Sequence, residues 1–176
     1  APLYGWSGTM TLPRVLSLSS DGSLIIEPVE ELKELRTNLR TEKNITVYDK
    51  KALRLEGIEG TTLEINAEID MSKASSFGLK VLASPNGDEE TVIEFNSIEN
   101  NITVDFSNSS LDTSIKHYQR TMNFMTSEPN PIATDQVAPF SLGKNEKLEI
   151  QIFIDKSIIE IFANGRQCVT QRVYPT

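Results

Sequence analysis

The stretch Lys147–Tyr174, KLEIQIFIDKSIIEIFANGRQCVTQRVY, confines this chain to β structure. It encodes three short strands joined by two tight turns. Asn164-Gly165 between apolar runs is a strong hairpin signal, because a type I′ turn needs positive φ at both central residues and Asn and Gly tolerate that best. Asp155-Lys156 is the expected preceding turn. Two-residue turns place Ile161 opposite Ile150 and Cys168, and Ile159 opposite Ile152 and Thr170. Side chains alternate along a strand, so Leu148, Ile150, Ile152, Ile154, Ile159, Ile161, Ala163 and Cys168 share one face, which is predicted core. The opposite face mixes Glu149, Gln151, Glu160, Gln167 and Gln171 with Phe153, Ile158, Phe162, Val169 and Val173. A face fully open to water has no need of so many apolar residues, and these five are expected to meet an interface.

The rest of the chain repeats the pattern. Thr61–Ile69 alternates Leu63, Ile65, Ala67 and Ile69 with Glu64, Asn66 and Glu68. Further strands are expected at Thr46–Tyr48, Lys51–Leu55, Phe77–Ala83, Thr91–Asn96, Ile102–Phe106 and Ile115–Met122, and an early hairpin turns at Asp21-Gly22. Ser7–Leu18 reads as extended, broken at Pro13, and Asn123–Pro139, rich in polar residues and Pro, as a long loop. One short helix is expected near residues 29–39, where Val29, Leu32, Leu35 and Leu39 recur at helical spacing behind Pro28. Many short strands with frequent turns predict an all-β chain, a sandwich of two antiparallel sheets of concanavalin or jelly-roll type. At 176 residues this is one domain, long enough to bury roughly 70% of its unfolded surface.

Charge and motifs narrow the function. A formal net charge of −8 argues against nucleic acid, whose binding is driven largely by Lys and Arg on phosphates. No apolar run reaches the ~20 residues of a membrane helix, so a soluble protein is expected and no membrane partner. The chain opens Ala1-Pro2-Leu3 without a basic-then-apolar leader, as a piece of something longer would. Its single cysteine, Cys168, is expected to be an inert core thiol, and its single histidine, His117, a partly exposed strand residue. With no CxxC pair, phosphate-cradling glycine loop or HExxH helix, neither a metal nor another cofactor is expected. Asn44, Asn101 and Asn108 begin glycosylation sequons, about as many as chance gives in so Asn- and Ser-rich a chain. Asp155 and Glu160 are the obvious carboxylate pair. In the register above they stand four residues apart along the strands, about 13 Å, beyond the ~5–9.5 Å of glycosidase pairs. Both are therefore expected to be framework residues. Trp6, Tyr4 and Tyr118 are the candidates for stacking on a sugar ring.

GWSGTMTLPRVLSL at 5–18, DGSLIIEPVEELKELR at 21–36 and FIDKSIIEIFANG at 153–165, with the closing RVYPT, resemble three ordered signatures of one family. These are the signatures of the carboxy-terminal β-sandwich of glycoside hydrolase family 32, the invertase, levanase and inulinase type β-fructosidases. The resemblance covers nearly the whole chain and weakens over Ile98–Ser141, where FSNSS replaces a charged segment. It implies residues 13–176 as one sandwich, with 1–12 as the linker from an amino-terminal five-bladed propeller. It also implies a retaining double displacement for the parent enzyme. The family's catalytic Trp-x-Asn-Asp-Pro-Asn, Arg-Asp-Pro and Glu-Cys stretches do not occur in this sequence, so no catalytic residue is carried over. The expected function is that of a non-catalytic module stabilising the propeller or an oligomer interface between copies of the chain; the alternative is a fructan-binding module.

Overall fold

The computed structural model describes residues 9–49, 51–118 and 131–176. Its strands are β1 Arg14–Leu18, β2 Leu24–Pro28, β3 Thr62–Ile69, β4 Ser76–Val81, β5 Thr91–Asn96, β6 Asn101–Asp105, β7 His117–Tyr118, β8 Ile132–Ala133, β9 Asp135–Pro139, β10 Leu148–Asp155, β11 Ile158–Ala163 and β12 Gln167–Arg172. Eight of them build two four-stranded sheets, ordered β12-β11-β10-β3 and β4-β5-β6-β9. Every pairing is antiparallel.

Period-two alternation decides how these sheets meet. Leu148, Ile150, Ile152 and Ile154 of β10 and Ile159, Ile161 and Ala163 of β11 all turn inward. They join Ile93, Phe95, Ile102 and Val104 of the second sheet in one continuous core, with Phe95 set edge-on to Phe140 at 6.2 Å. Two faces this apolar have to be stacked on each other. The all-β sandwich expected from the sequence is the fold that forms.

Register departs from expectation at both turns. The β10–β11 turn is centred on Lys156-Ser157, Asp155 pairs with Ile158, and Ile152 therefore faces Ile161. That shift of two residues leaves every side chain on its expected face. At the other end Asn164 and Gly165 take φ of 46° and 61°, and the Arg166 amide donates to Ala163 O at 3.0 Å, as a type I′ turn requires. Ala163 nevertheless pairs with Gln167, leaving Arg166 as an extra residue. Its guanidinium is drawn out of the ladder by Glu146, at 2.6 and 3.0 Å, and by Ser141 O at 2.9 Å. A one-residue slip exchanges the faces of a strand. Val169 and Val173 accordingly belong to the core, not the outer face, while Cys168 moves outward and is half-buried.

Other expectations change as well. The helix is a single 3-10 segment, Glu30–Leu35, that buries none of its residues. Thr46–Tyr48 and Lys51–Leu55 form no strand; the described residues of 36–61 contain no regular element. Within the expected loop Asn123–Pro139, β8 and β9 appear, β9 being a sheet edge whose Pro139 closes the strand where no ladder donor is needed. Of the expected strand Ile115–Met122, His117–Tyr118 is observed and 119–122 lie outside the described residues.

Candidate domain interface

The register lays Glu64, Phe153, Glu160 and Thr170 in one row across the outer face of the β3-β10-β11-β12 sheet. Two carboxylates so shielded from water need partners, and both partners come from early in the chain. Leu12 donates its backbone N–H to Glu160 Oε1 at 2.6 Å, and Arg14 donates Nη2 to Glu160 Oε2 at 2.6 Å and to Thr170 Oγ1 at 2.7 Å. The Arg14 guanidinium also lies 5.6 Å from the Phe162 ring centre, and Phe162 meets Phe153 edge-on at 6.0 Å. A further backbone bond runs from Ile26 N–H to Gly165 O at 2.7 Å. The β1–β2 hairpin is thereby laid over the sheet, and Glu160 is left only 2% exposed.

Arg36 makes a second clamp, bidentate to Glu64 through Nε at 2.7 Å and Nη2 at 2.5 Å. Asn66 and Gln151 donate to the same carboxylate at 2.9 and 2.7 Å. The Arg36 hydrogen bonds, outweighing burial, hold the Glu64 carboxyl at about 2. Burial pushes the Cys168 thiol up to about 11, so it is protonated at neutral pH, on the outer face rather than in the expected core.

The observed register also corrects the carboxylate spacing. Glu160 faces Phe153, only two residues from Asp155, or about 7 Å along the strand. Distance therefore does not separate this pair from glycosidase geometry; engagement does. Both Glu160 oxygens are occupied and the group is closed off from solvent.

Of the aromatic candidates, Tyr4 and Trp6 lie outside the described residues, and Tyr118 on β7 is 57% exposed. His117 is half-buried between Phe106, at 4.7 Å, and Tyr174, at 5.7 Å. Burial and the Arg172 charge push its pKa down. Nearby, an open cleft of ≈ 480 Å³ is lined by Thr61, Ser110, Asp112, Lys156, Ser157 and Tyr174 among others. Among the expected interface residues, Ile158 and Phe162 are buried on the outer face and Phe153 is half-buried. What the sequence reading missed lies earlier: eleven of the sixteen exposed large apolar residues among those described fall between Met10 and Leu53. Leu39 is 89% exposed and Tyr48 70%. Arg14 stood within the quoted LPR motif, but nothing local pointed to its partner 146 positions away.

The family model described as "Glycosyl hydrolases family 32 C terminal" matches residues 31–176. This chain belongs to that family. As a family 32 C-terminal domain it is similar to fructan 1-exohydrolase w2 of Triticum aestivum, 27% identical over 213 residues, covering 97% of this chain and 33% of the relative. It is likewise similar to the levanase of Bacillus subtilis (strain 168), 29% identical over 180 residues, 99% of this chain and 24% of the levanase. In fold it resembles fructan 1-exohydrolase IIa from Cichorium intybus, with TM-score 0.73, 23% identity and coverage of 94% of this chain and 35% of the other. For exo-inulinase from Aspergillus awamori the TM-score is 0.69 at 20% identity, with 100% and 32% covered. The domain thus spans about a third or less of the length of each of these proteins.

Proposed function

We propose that this domain is the carboxy-terminal module of a β-fructosidase that cleaves fructan or sucrose, and that it stabilises an amino-terminal catalytic propeller of the same polypeptide. On this reading residues 13–176 are the module, with its two packed sheets beginning at β3, and residues 1–12 link it to the propeller. The observation that carries this reading is the clustering of exposed apolar side chains between Met10 and Leu53, on the same early part of the chain that leads toward the linker. A surface of that kind, kept by a domain whose relatives are about three times longer, is one another part of the protein covers. Phe153, Ile158 and Phe162 act beneath it, as the floor on which the first hairpin is seated. Retaining hydrolysis by a carboxylate pair is then the work of the propeller. Heating tests the reading. The module should melt at a higher temperature within the full polypeptide than alone, and this chain alone should release no fructose from levan, inulin or sucrose. Equal melting temperatures, or turnover by the chain alone, would overturn it.

A second reading, fructan binding, is favoured by the cleft lined by Ser110, Asp112, Lys156 and Tyr174, whose hydroxyls and charges suit a polyol, with Tyr118, Tyr4 and Trp6 as stacking candidates. Titrating inulin, levan and sucrose at millimolar levels into labelled protein decides it. Shifts lost on D112A support sugar binding, and a flat titration leaves the scaffold alone.

A further inference from the structure

We infer that residues 36–54 are a basic docking strap whose occupant is an acidic, partly apolar surface of the upstream part of the same polypeptide. This deepens the module reading and rests on it. The segment, RTNLRTEKNITVYDKKALR, holds six cations, Arg36, Arg40, Lys43, Lys50, Lys51 and Arg54, against two carboxylates, Glu42 and Asp49. That is an excess of four positive charges in a chain of formal charge −8, which without the segment would carry −12. Of the described cations, Arg36 pairs with Glu64 and Arg54 with Glu59, whereas Arg40, Lys43 and Lys51 are exposed and form no ion pair among the described residues. A basic run is most simply a solvated face. Here, however, the cations alternate with Leu39, Ile45, Val47, Tyr48 and Leu53, each between 42% and 89% exposed. Solvation explains charges in water but not five large apolar groups among them.

Charge complementarity selects the occupant. The local excess of cations calls for carboxylates opposite them, the apolar residues among those cations call for a protein surface rather than a bare polyanion, and the relatives in which this domain occurs continue well beyond it. Arg36 fixes where the strap starts, because its bidentate bond to Glu64 pins that end to the sheet. The apolar residues then supply contact area, and Arg40, Lys43 and Lys51 supply orientation and salt sensitivity.

The test uses the full polypeptide with a protease site placed ahead of Ala1. After cleavage the two parts should co-elute on gel filtration at low salt, and high salt should weaken their association at least about tenfold, as for steered charge contacts. R40E/K43E/K51E should separate them, R40E alone should weaken them less, and K73E/K144E, outside the strap, should leave them together. Zero-length carbodiimide coupling should join the Lys43 and Lys51 amines to carboxylates upstream of Ala1. All of these variants should melt like the parent in the isolated chain, which separates docking from folding. If the parent parts never associate, the module reading itself falls. If they associate but neither salt nor the triple reversal matters, only the strap inference is overturned. Cross-links from Lys43 or Lys51 to a second copy would overturn the occupant named here.

Discussion

On its inner face the β3-β10-β11-β12 sheet holds Ile152, Ile159 and Ile161, all fully buried in the core it shares with Ile93 and Phe95. On its outer face the same strands hold Glu160 beneath Arg14 and Glu64 beneath Arg36. The inner contacts are non-directional and tolerate a two-residue slip, since one Ile replaces another. The outer contacts are directional: a glutamate meets its arginine in one register only. Burying such a pair adds little net energy compared with apolar packing, but it fixes where the hairpin lies. Cohesion is therefore assigned to one face and position to the other.

The largest expected effect breaks the inner face. Ile152→Ala should cost about 2–5 kcal/mol through lost transfer energy and the cavity left behind, read as a fall in the urea midpoint with unchanged slope. A loss below about 1 kcal/mol would mean the sheets repack easily and would erase the contrast. Next comes Glu160→Ala, which strips two charge-assisted bonds and leaves Arg14 partly buried without a carboxylate. About 2–3 kcal/mol is expected, with a signature of its own. Hydrogen exchange should rise across Leu12–Pro28 while β10 and β11 stay protected. Uniform loss of protection would show that Glu160 holds the sheet rather than the hairpin.

The Arg36–Glu64 clamp sharpens the comparison through pH. Glu64 titrates at about 2 in the folded protein against an ordinary 4.5. Its pKa is depressed on folding, so the clamp's contribution is complete above pH 4.5 and disappears as pH falls toward 2. Arg36→Ala should cost about 1 kcal/mol at neutral pH, the guanidinium being partly exposed, and almost nothing at the acid end. Glu146, held at about 2 by Arg166, slopes in the same direction and remains in this variant. The difference between parent and variant, followed by urea midpoints across that range, isolates Glu64. A pH-independent difference would show that Arg36 acts through packing alone.

Much of the inner face was legible because alternation, apolar side chains and the Asn-Gly turn all speak locally. The β12 faces were not. An Asn-Gly turn is compatible with either a two-residue loop or one extra residue, and the choice was made by Glu146 and Ser141 reaching Arg166 from outside the hairpin. The clamps were not legible either, since Arg14 and Glu160 stand 146 positions apart and no local pattern pairs them. Residues 46–48 and 51–55 failed for a third reason. Their alternation is real, but among the described residues no strand pairs with them. The family signatures survived every one of these misreadings, because they depend on residue identity and order rather than register.

The smallest effect is the most discriminating. Leu39 and Tyr48 are 89% and 70% exposed, so Leu39→Ser or Tyr48→Ser in this chain alone should shift stability by no more than about 0.5 kcal/mol. The inner face answers a lost methyl group at once; this surface should not answer at all until something covers it. Within the full polypeptide the same substitutions should lower the melting temperature of the joined domains, because each then removes buried contact area. A sizeable loss in the isolated chain would show that Leu39 already packs inside the domain. Indifference in both settings would leave the exposed apolar belt without an occupant and would reduce the outer face to its two arginine clamps.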